Sequence, residues 1–294
     1  MKEGGAYYEN KIIGSEVAKE RERHLSVPIV DVIRHGSSDY KELIDESFRL
    51  DPSDPEFKLD EEHLDLNQKG IKQILETAEQ LATLIDKEKE LVILVTSPNF
   101  RAHSSAMVLE KTLKGVGVNF LSQNRRIKEM ENLGQMEHRD KKTVKPWAEA
   151  DQKYRQTSKE NISKPPDEAH VDIAAALGKE VTDIFTEDYD QINLRFETFL
   201  RHMTNIYKWL DKDTQVKLKD KILRIICLTH EEVPVKFMKK SLNTKKNLEN
   251  GQLLEIKPLD TMAAGEESLA EVVLYPKSNN SEHGKSTILR KFQL

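Results

Sequence analysis

The stretch Val27-Pro28-Ile29-Val30-Asp31-Val32-Ile33-Arg34-His35-Gly36 decides the fold of this chain. Its mainly apolar first part predicts a strand over 28–33, and this strand presents Arg34 and His35 side by side at its end. We expect Gly36 to be needed because the backbone turns tightly there. A guanidinium offers phosphate a fixed fork of donors, and an imidazole can act as a nucleophile. The stretch therefore predicts a strand that ends at a phosphate site.

Segments with strand and helix patterns alternate along the 294 residues. Further strands are predicted at 91–96, 118–121, 221–228 and 270–275. Helices are predicted at 67–87, 101–114, 167–177, 179–185, 190–210 and 233–242. This alternation is typical of a mostly parallel sheet with helices on its faces, so we predict an α/β fold.

Composition limits the classes of partner. The formal net charge is -5, which provides no global basic field for nucleic acid. Cys227 is the single cysteine and cannot form an intrachain disulfide. No apolar run has the length of a membrane span, and residues 1–23 lack the apolar centre of a signal peptide. We therefore expect a soluble, cytoplasmic protein with no nucleic-acid or membrane partner. The sequence does not indicate whether the protein is a monomer or an oligomer.

The chain is interpreted as a short N-terminal extension at 1–24 followed by one domain at 25–294. Two polar, charged segments at about 37–66 and 139–168 interrupt the pattern of strands and helices and are predicted to be insertions. The second of them is either a lid over the site or a disordered segment.

Three of the predicted strands end in residues that suit phosphate chemistry. These ends are Arg34-His35-Gly36, Ser97-Pro98-Asn99-Phe100-Arg101-Ala102 and Thr229-His230. Because the carboxyl ends of parallel strands meet at one edge of a sheet, two arginines and two histidines are expected to converge. Such a group can bind the oxygens of a phosphoryl group and offset its charge during transfer.

In these motifs and their order, the chain resembles the histidine phosphatase superfamily, also called the phosphoglycerate mutase-like family. The family signatures are Arg-His-Gly after the first strand, Ser-Pro-x-x-Arg-Ala at a helix start and a late Ser/Thr-His. Leu66-Asn67-Gln68-Lys69-Gly70 also resembles the family's Leu-Thr-x-x-Gly helix start. The resemblance covers about 28–275 and implies a three-layer sandwich with a mostly parallel central sheet.

The resemblance implies a phosphomonoester hydrolase that acts on a small phosphorylated substrate and requires no metal and no cofactor. His35 would become a phosphohistidine, while Arg34, Arg101 and His230 would hold the phosphoryl oxygens. The Gly36 carbonyl would fix the tautomer of the His35 ring. Two alternatives stay open, a phosphoglycerate mutase-type transfer and a catalytically impaired protein that only binds a phosphoryl ligand.

The general acid is the least determined residue of the implied site. The family pattern is Leu-x-Glu, then three residues, then Gly-x-x-Glu. Counting forward from Ile127 selects Glu129, whereas counting back from Gly134 lands one residue away, on Met130. One residue has therefore been inserted, and either Glu129 or Glu131 is the acid; we favour Glu129.

Two departures from the family pattern affect the predicted site. Ser37 and Ser38 follow Gly36, where the family commonly has Glu or Gln and then Ser or Thr. The hydroxyl of Ser38 is a candidate hydrogen-bond donor to phosphate. Glu231 and Glu232 follow His230, where the family usually has small residues. We expect these carboxylates to favour protonated His230 and to disfavour a polyanionic substrate.

Overall fold

The computed structural model describes residues 27–38, 66–121, 127–245, 247–258, 267–277 and 285–293. The predicted N-terminal extension at 1–24 and most of the predicted insertion at 37–66 lie outside the described residues.

A seven-stranded sheet forms the centre of the described structure. Its strands are β1 (Ile29–Arg34), β2 (Glu90–Thr96), β3 (Lys128–Glu129), β4 (Ile222–Thr229), β5 (Leu253–Pro258), β6 (Glu267–Leu274) and β7 (Lys285–Gln293). The spatial order is β3-β2-β4-β1-β5-β6-β7. Strands β1 to β4 run parallel to one another, and β5 to β7 add antiparallel pairs.

Helices cover both faces of this sheet. The α-helices are α1 (Gln68–Leu84), α2 (Phe100–Gly115), α3 (Val144–Thr157), α4 (Lys159–Ser163), α5 (Pro166–Ala176), α6 (Val181–Ile184), α7 (Tyr189–Thr204), α8 (Lys212–Lys217) and α9 (Val235–Leu242). Apolar side chains of α1 and α2 pack on one face, and those of α5, α7 and α9 pack on the other. The predicted α/β three-layer sandwich is confirmed. Within the described residues, no helix is both long enough and apolar enough to cross a bilayer.

The sequence pattern of the central strands follows from burial on both faces. In β1, Val30 and Val32 enter the core beneath α7, whereas Ile33 enters the core beneath α1 and α2. A strand that is covered on both sides has no polar face, so it is encoded by a nearly continuous apolar run. Cys227 is fully buried in β4, as expected of a core residue. The prediction of a strand at 118–121 is wrong, because Phe120 makes only an isolated bridge to Val92.

The segment 139–168 is helical, so its interpretation as disorder is wrong. It contains α3, α4 and the start of α5. Trp147 of α3 is buried, and its ring centroid lies 5.0 Å from that of His170 and 4.8 Å from that of Phe185. Edge-on aromatic contacts of this kind join the segment to the main core.

One cluster of charged side chains is buried beneath α1 and α2. Arg224 of β4 is 1 % exposed, and its guanidinium contacts carboxylates of Asp31, Glu90 and Glu255 at 2.5–3.0 Å. Burial raises the pKa of Asp31 to about 6, against the attraction of Arg224. These residues lie on four adjacent strands, so a single guanidinium joins β1, β2, β4 and β5.

We predict that Arg224→Met destabilises the protein by about 3 to 5 kcal/mol, because three buried carboxyls lose their cation. Urea unfolding checks the change. Arg201→Met, which alters an exposed arginine, is the control and is expected to change the free energy of unfolding by less than about 0.5 kcal/mol. Equal effects of the two substitutions would show that the cluster does not stabilise the sheet.

Candidate active site

The register of the central strands brings the three strand-end motifs together. Arg34 pairs with Thr229 across β1 and β4, and Thr96 pairs with Leu228 across β2 and β4. One residue further, the His35 amide donates to the Thr229 carbonyl at 3.0 Å, and the Ser97 amide donates to the Leu228 carbonyl at 2.9 Å. All three motifs therefore begin at the same edge of the sheet.

His35 is held by both of its ring nitrogens. Its Nδ1 lies 2.7 Å from the Gly36 carbonyl, the contact that the family resemblance implies. Because a carbonyl only accepts, Nδ1 carries the proton and Nε2 keeps its lone pair. The Nε of Arg101 donates to this Nε2 at 3.1 Å. The arrangement presents an unprotonated ring nitrogen directly to a guanidinium.

His230 lies beside His35 and is also buried. The two ring centroids are 5.0 Å apart. The Nε2 of His230 lies 2.8 Å from the Ser97 hydroxyl, which donates to Asn99 Oδ1 at 2.7 Å. Since that hydroxyl proton is used, Ser97 accepts a hydrogen bond from Nε2 of His230. His230 therefore carries a proton on the nitrogen that faces Ser97.

Both histidines are held in the neutral form. Burial, together with the nearby Arg101 and Arg34, lowers the pKa of His35 well below its usual value. The pKa of His230 is likewise lowered by burial, by His35 and by both arginines. The expectation that the two following carboxylates favour protonated His230 is therefore wrong, because burial and the arginines outweigh them. A neutral His35 is the form that can attack phosphorus.

Arg34 points toward the residue after His230. Its Nη1 lies 2.5 Å from Glu231 Oε2 and donates to the Leu248 carbonyl at 3.1 Å. The arginines Arg34 and Arg155 hold the pKa of Glu231 below its usual value, although burial opposes them. The pKa of Glu232 is raised by burial and by the Glu231 charge, and its Oε1 accepts from the Met136 amide at 3.3 Å. The two adjacent carboxyls are therefore driven toward different protonation states.

Gly36 is required for a reason other than the expected tight turn. Among the described glycines, a positive φ occurs at Gly117, Gly178 and Gly251 and not at Gly36. A Cβ on Gly36 would lie 2.5 Å from the carbonyl oxygen of Gly70. The start of α1, where Asn67 caps the Gly70 amide, packs directly on the loop after β1. Ser38 is half-buried at the end of this described stretch.

We predict that Gly36→Ala destabilises the protein by about 1 to 3 kcal/mol, because the added methyl meets backbone that cannot move aside. Thermal or urea unfolding measures the loss. Gly115→Ala is the matched control, since its Cβ would have no atom within 4 Å. A control that loses as much stability as Gly36→Ala would refute this account of the close approach.

The side chains of both predicted acids are exposed. Glu129 is exposed at the end of β3, where it pairs with Thr96. Glu131 is also exposed, and it lines a cavity of about 570 Å³ together with Asn99, Gln135, Glu137, Glu187 and Arg195. Gln135 accepts a hydrogen bond from Arg101 through its side-chain oxygen. This cavity therefore adjoins Arg101 through the side chain of Gln135.

Several residues of the site were not selected from the sequence. Ser97 positions His230, Gln135 contacts Arg101, and the side chain of Asn250 donates to the His35 carbonyl at 2.9 Å. Ser97 belongs to a motif that was recognised, so its role could have been expected. Gln135 lies at a variable position of the Gly-x-x-Glu pattern, and Asn250 lies in a segment without a recognisable pattern. Among the described residues, no three His, Cys, Asp or Glu side chains are arranged to hold a metal ion.

Comparisons with known proteins return solved structures only. No family model matches the chain, and no curated protein matches it. A phosphoglycerate mutase from Bacillus anthracis is 16% identical over 92% of this chain and 95% of its own, with a TM-score of 0.44. A mycobacterial glucosyl-3-phosphoglycerate phosphatase is 12% identical over 79% of this chain and 94% of its own, with a TM-score of 0.39.

A phosphoserine phosphatase from Entamoeba histolytica, solved with 3-phosphoglyceric acid, is 12% identical over 90% of this chain and 98% of its own. Its TM-score is 0.40. In its three strand-end motifs and their order along the chain, this protein resembles the histidine phosphatase superfamily, or phosphoglycerate mutase-like family.

Proposed function

We propose that this protein is a metal-independent phosphomonoester hydrolase that acts through a phosphohistidine on His35. The observation that carries the proposal is the pair of contacts on the His35 ring. Nδ1 is held by the Gly36 carbonyl at 2.7 Å, and Nε2 faces the Arg101 guanidinium at 3.1 Å. A phosphoryl group bound by that guanidinium would lie next to an unprotonated nucleophile.

The first step forms a bond between Nε2 of His35 and phosphorus and breaks the ester P–O bond. The departing oxygen takes a proton from a carboxylic acid. Arg34 and Arg101 hold non-bridging oxygens and offset their charge. His230 donates to a third oxygen once its Nε2–H turns from Ser97 to the phosphoryl group. In the second step, the resulting carboxylate removes a proton from water, which attacks phosphorus as the P–N bond breaks. Inorganic phosphate leaves, and the acid and His35 return to their starting states.

The proposed substrate is a small phosphorylated molecule of modest charge. The cavity beside Arg101 carries three carboxylates, Glu131, Glu137 and Glu187, and a single arginine. That arginine, Arg195, already pairs with Glu187 at 2.9 Å. A second phosphate on the substrate would therefore meet carboxylates that disfavour it.

We predict that the protein releases p-nitrophenolate from p-nitrophenyl phosphate, that EDTA leaves the rate unchanged, and that His35→Ala abolishes release. Phosphate and p-nitrophenolate are measured together. His103→Ala, which changes a half-buried histidine of α2, is the control and is expected to retain activity.

Two results would contradict the hydrolase. Orthovanadate binding without turnover by the wild-type protein would leave only a phosphoryl-binding protein. Interconversion of 3-phosphoglycerate without net release of phosphate would indicate a mutase.

For the general acid, Glu232 is a third candidate beside the sequence candidates Glu129 and Glu131. A general acid must be protonated near neutral pH, and the pKa of Glu232 is raised by burial and by Glu231. Its Oε1 accepts from the Met136 amide at 3.3 Å, and Met136 follows Gln135, whose side chain contacts Arg101. We propose Glu232 as the acid on this ground.

We predict that Glu232→Gln slows phosphohistidine formation from an alkyl phosphate about 100-fold. Formation from p-nitrophenyl phosphate is expected to slow much less, because p-nitrophenolate departs without a proton. Single-turnover measurements of both substrates check the ratio, with Glu129→Gln and Glu131→Gln measured in parallel. If either of those variants shows the larger dependence on the leaving group, the acid is that residue and the proposal for Glu232 fails.

A further inference from the structure

An internal carboxylate already engages one of the arginines of the proposed phosphoryl site. Arg34 Nη1 lies 2.5 Å from Glu231 Oε2, and both side chains are 17 % exposed. The Nε of Arg34 is buried without a hydrogen-bond partner among the described residues. A phosphoryl oxygen that binds Arg34 must therefore share the guanidinium with Glu231 or displace it.

A second arginine lies at the other oxygen of the same carboxylate. Arg155 Nη2 is 3.7 Å from Glu231 Oε1, and the Arg155 side chain is 27 % exposed. Arg155 belongs to α3, in the segment 139–168, and its Nε contacts Asp151 Oδ1 at 2.8 Å. Glu231 is thus placed between a guanidinium of the first motif and a guanidinium of the inserted segment.

These two contacts differ in length in a way that matters for binding. The pair with Arg34 is a close, charge-assisted contact, whereas the pair with Arg155 is longer than a hydrogen bond. When a phosphoryl dianion approaches Arg34, it repels the Glu231 carboxylate. Because these groups are partly buried, that repulsion is stronger than it would be in water. A small rotation of Glu231 toward Arg155 would relieve the repulsion and shorten the 3.7 Å pair.

Resting on the proposed function, we propose that Arg155 is a positioning residue that takes over the Glu231 carboxylate when a phosphoryl group binds Arg34. Arg155 lowers the cost of freeing Arg34, and it does so only through Glu231. The segment 139–168 thereby contributes to phosphoryl affinity without contacting the phosphoryl group.

A double-mutant cycle on Arg155 and Glu231 tests this inference, with inorganic phosphate as the probe and calorimetry as the measurement. Arg155→Gln is expected to weaken phosphate binding about tenfold, which lies within the range of coupling between groups in contact. In the Glu231→Gln background, the same substitution is expected to change affinity less than about twofold, because no carboxylate needs to be moved. Arg155→Lys is expected to restore part of the affinity, since it keeps the charge.

Lys153→Gln is the matched control, because it removes one positive charge from an exposed position of the same helix. It is expected to leave phosphate affinity unchanged, and thermal unfolding of every variant shows that each is folded. An equal loss from Arg155→Gln with and without Glu231 would overturn the inference, as would no loss in the wild-type background. Either result beside intact, His35-dependent turnover leaves the proposed function standing. Failure of the wild-type protein to bind phosphate overturns the inference, and it overturns the proposed function as well if His35-dependent turnover is absent.

Discussion

Two backbone hydrogen bonds just beyond the strand ends hold the candidate site together. His35 donates to the Thr229 carbonyl and Ser97 donates to the Leu228 carbonyl, each continuing a parallel ladder by one residue. Side chains alternate between the two faces along a strand, so a shift of one residue in either ladder would turn these side chains away from each other. The meeting of Arg101 with His35 and of Ser97 with His230 thus depends on the register of β1, β2 and β4, before any side chain selects a rotamer.

The same alignment places two positively charged guanidiniums close together beside two buried imidazoles. Burial, together with the two nearby arginines, lowers the pKa values of His35 and His230 and keeps both rings neutral. Neutrality favours nucleophilic attack by His35, but a buried guanidinium needs a partner when no anion is bound. Glu231 supplies that partner for Arg34, and Gln135 supplies an uncharged one for Arg101. The site is therefore stable without a ligand and still presents positive charge to one.

The sequence indicated the parts of this arrangement that depend on local pattern. Apolar runs predicted the central strands, and the residues after them predicted which side chains meet, because parallel topology places strand ends at one edge. The contact between Gly36 and Gly70 was not predictable, since it depends on how α1 packs on a loop. Strands β3, β5 and β7 were missed, because none of them has a strong apolar run of its own. The pairing of Glu231 with arginines was not predicted either, because its partners Arg34 and Arg155 lie about 200 and 80 residues away in sequence.

Strand β4 carries residues of both the buried ion cluster around Arg224 and the candidate site at His230. Its first half carries Arg224, which is surrounded by carboxyls of β1, β2 and β5, while its end carries His230 at the candidate site. A buried ion cluster adds little net stability compared with an apolar core, but it strongly disfavours arrangements that leave one charge unpaired. Shifting β4 against β1 or β2 would separate Arg224 from Asp31 or Glu90. The cluster therefore opposes the register shifts that would dismantle the site at the other end of the same strands.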